Sequence, residues 1–167
     1  MKSFFLFILM IIVFSGCGYK PTATFSNQAI SGKTYVSVKI DINNAANTVL
    51  IKDALIELLV NKFNIKITND KSQANSFVIG ELKSVSETQL QIDTQGYSKV
   101  YRESVTIKVD YYKLGQTRHS FTLSNYYDFT IDDDSTVTQA KKDEAIKIAI
   151  SKALSDIFSK IAINTFK

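Results

Sequence analysis

The chain holds one thiol, Cys17, and one imidazole, His119. A nucleophilic site needs a base beside the nucleophile. His119 follows Arg118 and has no carboxylate neighbour in the sequence, so neither a Cys–His nor a Ser–His pair can be drawn from spacing. Zinc sites require a spaced set of Cys and His ligands, and no such spacing occurs. Phosphate loops cluster their glycines, whereas Gly80, Gly96 and Gly115 each stand alone. The run Asp132-Asp133-Asp134-Ser135 lacks the alternating ligands of a metal loop. It reads as the solvated start of a helix, where acids meet the positive end of the dipole. Only carboxylates brought together from distant segments are left as a route to catalysis. We therefore expect no enzyme, no cofactor and no metal. The basic residues are more informative. Lys113, Arg118 and His119 flank a turn at Gly115; Lys99 and Arg102 lie toward the other end of the preceding strand, and Lys108 lies on its outward face. Lys113 and Arg118 at a hairpin tip can grip phosphate through charge-assisted hydrogen bonds. The plainer alternative is a solvated loop that keeps the sheet edge soluble.

The first residues set the compartment. Lys2 precedes an unbroken apolar run, Phe4 to Phe14. As a helix the run spans about 16 Å, well short of the ~30 Å hydrocarbon core. It suits a signal-peptide core rather than a membrane span. Phe14-Ser15-Gly16-Cys17 follows and resembles the lipobox of bacterial lipoproteins, with Phe14 where Leu is usual. The resemblance implies cleavage before Cys17 and acylation of its sulfur. That chemistry consumes the lone thiol, which is otherwise a liability in an oxidising compartment. Several acyl chains anchor stably where one binds marginally. Gly18 stands where Asp retains well-studied lipoproteins in the inner membrane, so by that likeness the outer membrane is expected, on its periplasmic side.

Cleavage after residue 16 leaves 151 of the 167 residues, enough for one domain with its own core. The 20 Lys and Arg against 16 Asp and Glu become 19 against 16 once Lys2 is removed. This scattered excess is unlike the clustered footprint of a nucleic-acid binder. With 6 Gly and 1 Pro the chain is mostly regular structure. The expected organisation is a signal peptide over residues 1–16, a lipidated tether over 17–34, which holds Pro21, and a single domain over 35–167.

The elements follow from periodicity. Val36, Val38, Ile40 and Ile42 alternate with Ser37, Lys39 and Asp41, which predicts a half-buried strand. Ile51, Leu55, Leu58, Leu59 and Lys62 then repeat at helical spacing, with Asn47 or Thr48 as the cap. Residues 65–68 form a short strand candidate. Residues 76–92 alternate but change phase, which predicts a bulge near Gly80. Tyr101, Val105, Ile107, Val109 and Tyr111 mark one long strand, and Phe121, Leu123, Tyr127, Phe129 and Ile131 its return. A final helix over residues 138–163 carries the stripe Ala145, Ile146, Ala149, Ile150, Ala153, Leu154, Ile157, Phe158 and Ile161. The fold class is therefore α/β (α+β): a two-layer sandwich with two helices on one face of a mixed, mostly antiparallel sheet of about four strands.

Four features in this order resemble the LPS-assembly lipoprotein family, LptE. They are the start Cys17-Gly18-Tyr19; the strand at residues 35–42 leading to the helix with Leu55, Leu58 and Leu59; the segment Ala74-Asn75-Ser76-Phe77-Val78-Ile79, with Asn75 where Asp is common; and the long hairpin before an Ala-rich helix. The resemblance implies a plug inside the LptD β-barrel of the outer membrane. The pair would deliver lipopolysaccharide or lipooligosaccharide to the outer leaflet. It further implies glycolipid contact through basic residues near a strand end, mapped here to Lys113 and Arg118. The alternative is an accessory lipoprotein of another envelope machine, a lipid-transport ABC complex or a peptidoglycan synthase. An envelope hydrolase is the third reading, without a nameable substrate.

Overall fold

The computed structural model describes residues 29–40, 45–92, 94, 96–131, 137–157 and 159–161. The signal peptide, Cys17, most of the tether and the Asp132–Ser135 run lie outside them. Alternation builds the sheet. β1 is Lys33–Lys39, β2 is Lys66–Thr68, β3 is Ser76–Ile92, β4 is Ser98–Lys113 and β5 is His119–Thr130. α1, Ala45–Phe63, follows β1, and α2, Gln139–Ser155, follows β5. The sheet order is β2-β1-β3-β4-β5. β1 runs parallel to both neighbours, while β3, β4 and β5 are antiparallel. The sheet thus has five strands rather than about four. The fifth is β2, the short candidate at residues 65–68, too short to show a period but paired to β1 through the α1 crossover that parallel neighbours require.

Both helices cover one face. α1 packs on β1 and β3, and α2 on β4 and β5. α1 buries Thr48, Ile51, Leu55, Leu59 and Phe63. Neither Asn47 nor Thr48 is its cap: the helix has already begun at Ala45, and Thr48 opens its buried stripe. Phe63 joins the core, while Lys62 is exposed. Asn64, at φ 52°, stops the helix in the left-handed conformation that Asn tolerates. Thr138 caps α2 by accepting from the Lys141 N–H at 3.3 Å. Its alanines 145, 149 and 153 are buried among Ile146, Ile150 and Leu154, so the helix lies close to the sheet.

The irregularity expected near Gly80 lies just beyond it, and Gly80 itself has another reason. Gly80 is in regular register with Val38 and Val109. A Cβ there would sit 3.0 Å from Leu55 Cδ1 and 3.3 Å from Ile51 Cγ2. Glycine is required by the approach of α1, not by a bulge. The first register shift falls between Leu82 and Ser84, and further ones lie between Gln89 and Ile92. The first puts Val85 and Glu87 on the helix-covered face, opposite Val105 and Glu103.

Candidate functional site at the basic end of the sheet

The topology gathers cations at one end. β1, β2, β3 and β5 begin there and β4 ends there. Lys33 lies beside Lys66 in the parallel register, and Lys113 lies opposite Ser76. Lys62 stands in the last turn of α1, and Lys71 in the 3-10 turn Lys71–Gln73 before β3. Asn75 ties this end together. Its N–H donates to the Lys33 carbonyl at 2.8 Å, its Oδ1 accepts from the Lys33 N–H at 3.1 Å, and its carbonyl accepts from the Leu114 N–H at 2.9 Å. Gly32, at φ 74°, makes this possible, because a Cβ there would lie 2.7 Å from Asn75 Oδ1. Beside it opens a cleft of about 540 Å³, lined by Ile30, Lys33, Phe63, Asn64, Lys66 and Asn75 among others.

An exposed acid at this end, Asp70, is internally satisfied. Asp70 accepts from the Ser72 hydroxyl and N–H at 2.7 and 2.9 Å and from Gln73 at 2.9 Å. These bonds, with Lys33 nearby, hold its carboxyl below the usual range. Lys33 Nζ in turn donates to Gln73 Oε1 at 2.9 Å.

Lys113 and Arg118 do flank the turn, and the structure adds which side each serves. Lys113 continues the helix-side register of Val109 and Tyr111 and has no ion pair among the described residues. Arg118 turns to the uncovered face, where its Nη2 meets Asp110 Oδ2 at 2.5 Å and its guanidinium lies 5.9 Å from the Tyr112 ring. Burial opposes the charge on Asp110, but Ser120, Arg118 and Lys108 together hold its carboxyl below the ordinary value. Half of the Arg118 side chain is exposed, so it can serve Asp110 and a second anion together. His119 stacks on Tyr111 at 5.2 Å, a packing position. Among the described residues, no three His, Cys, Asp or Glu side chains cluster to hold a metal, and no helix is long and apolar enough to cross a membrane.

The uncovered face is polar with one aromatic patch. Phe77 stacks on Tyr112 at 4.8 Å and tilts against Tyr35 at 6.4 Å. Along β4 and β5, Arg102 binds both Asp128 oxygens at 2.7 and 2.8 Å and covers the Tyr126 ring at 3.7 Å. The Thr106 and Ser124 hydroxyls meet at 3.0 Å. Lys39 and Lys83 clasp Glu81 and lower it to about 2.

The hairpin cations are legible in the sequence, whereas Lys33, Lys66 and Lys71 beside them are not. That grouping depends on the parallel β1–β2 pairing, which leaves no local trace.

Residues 35–161 match the family model described as "LptE: Lipopolysaccharide-assembly". A search of curated proteins returned no match. Two solved structures share the fold. Rare lipoprotein B from Shewanella oneidensis is 17% identical, with 81% of this chain and 97% of that one covered and a TM-score of 0.55. An uncharacterized lipoprotein B from Nitrosomonas europaea is 11% identical, with 80% and 84% covered and a TM-score of 0.52.

Proposed function

Because this chain belongs to the LptE lipopolysaccharide-assembly family, we propose that it is the plug and assembly partner of an LptD-like outer-membrane β-barrel. In that role it delivers lipopolysaccharide or lipooligosaccharide to the outer leaflet. The family is one of non-catalytic envelope lipoproteins, and the proposed role needs no reaction. The family match over residues 35–161 carries the reading. The fold is compatible with it. The face without helices presents hydroxyls and satisfied ion pairs, the surface that suits the polar interior of a large barrel.

Within this reading Cys17 carries the acyl anchor on the periplasmic side of the outer membrane. Lys113 and Arg118 meet the anionic headgroup of the glycolipid. Because they serve opposite faces of one sheet end, they match an extended headgroup with separated negative groups better than one phosphate ion. Lys33 and Lys66 extend the same basic end.

Affinity purification of the tagged, lipidated chain from detergent-solubilised outer membranes tests the partnership. A stoichiometric barrel of the LptD kind is expected. Recovery of a synthase or an ABC complex with no barrel overturns it.

A further inference from the structure

The far half of β3 and β4 holds a cluster that the proposed function does not use. Glu87 and Glu103 are cross-strand partners on the helix-covered face. Glu103 is about 3% exposed, and the Glu87 carboxyl beside it raises its pKa. Lys142, in the first turns of α2, reaches Glu87 Oε2 at 2.7 Å. Among the described residues, Tyr127, the β5 partner of Glu103, and Tyr101 on β4, near Lys142, also face this spot, with Lys141 and Glu144 of α2 beside Tyr127. Lys152 of α2 sits 4.9 Å from the Tyr127 ring centre. Two carboxyls therefore share one close cation. A single proton between them leaves one net negative charge for Lys142 to balance.

We propose that Glu87, Glu103 and Lys142 form a proton-dependent latch that holds the start of α2 against the far half of the β3–β4 hairpin. Losing the shared proton puts two facing carboxylates under one lysine and loosens that contact. The near half of the sheet, under α1, keeps its packing throughout. The latch is independent of the barrel and glycolipid readings.

Burial first, and then the Glu87 carboxyl, push Glu103 up to about 7 from an ordinary 4.5. Opening that frees Glu103 is linked to proton release. It becomes easier as pH rises from the ordinary value to the raised one, and the dependence flattens above it.

Amide hydrogen exchange of the full chain, corrected for intrinsic rates, reads this directly. Between about pH 6 and about pH 8, protection in the first turns of α2 should fall about tenfold more than protection in α1. In Glu103→Gln the amide still donates to Glu87 but carries no titrating proton, so the extra fall should vanish. An equal fall in Glu103→Gln, or no extra fall in the unaltered chain, overturns the latch. A carbon-13 titration of the Glu103 carboxyl in the unaltered chain stands apart from the variant's folding. A midpoint near the ordinary glutamate value also overturns it.

Discussion

Asp110 and Glu103 lie on the same strand, β4, and each is about 3% exposed. They point to opposite faces of the sheet. Burial penalises the charged form of both. Asp110 nevertheless stays ionised, because Ser120, Arg118 and Lys108 surround it with donors and positive charge. Glu103 is driven to about 7, because burial is reinforced there by another carboxyl, Glu87, rather than offset by donors. Burial alone does not decide the state of an acid; the sign of the neighbouring charge does. The two faces follow the same division. The ion pairs Arg102–Asp128, Arg118–Asp110 and Lys39–Glu81 lie on the uncovered face, while on the covered face Glu87 and Glu103 are balanced by a proton and Lys142.

Removing apolar support from one end should have the largest effect. Leu55 is fully buried against Gly80. Leu55→Ala should cost about 2–5 kcal/mol in denaturant unfolding. It touches neither carboxyl, so the slope of stability with pH should stay as it was. Next comes Asp110→Asn, which breaks the pair with Arg118. Arg118 is half exposed and rehydrates, so we expect a loss of about 1–3 kcal/mol at neutral pH. The loss should shrink in acid, because the depressed Asp110 stabilises only above its unfolded value and that contribution disappears as pH falls.

Glu103→Gln should act with the opposite sign. The raised carboxyl favours the folded state while protonated, and that support is lost as pH climbs from about 4.5 to about 7. The variant should gain stability over the unaltered chain at about pH 8, on the order of 1 kcal/mol, and flatten the decline below it. The smallest effect should come from Lys142→Ala. Its pair with Glu87 is about 30% exposed on both sides, so a loss of about 0.5–1 kcal/mol is expected in thermal or chemical unfolding at neutral pH. A gain on Asp110→Asn together with a loss on Glu103→Gln at about pH 8 would reverse the comparison.

The sequence made the uniform elements readable. The alternation from Val105 to Tyr111 and the stripe from Ala145 to Leu154 state their periods over many residues, and both faces lie where the pattern puts them. The turn between Lys113 and Arg118 was also legible, because Gly115 marks it. What escaped depends on contacts between strands. Glu87 faces Glu103 only because the register shifts between Leu82 and Ser84, and no residue type announces that shift. Gly80 looked like a bulge because its true cause, the Leu55 side chain, is remote in sequence. Lys113 and Arg118 were legible as neighbours of one turn, but their division between two faces required the partner Asp110. The role of Cys17 rests on sequence, since it lies outside the described residues.

Depletion of this chain from cells, with lipopolysaccharide measured separately at the cell surface and in total, tests the assembly role most directly. Surface lipopolysaccharide should fall while newly made lipopolysaccharide accumulates inside the surface. Unchanged surface display after complete depletion would contradict it.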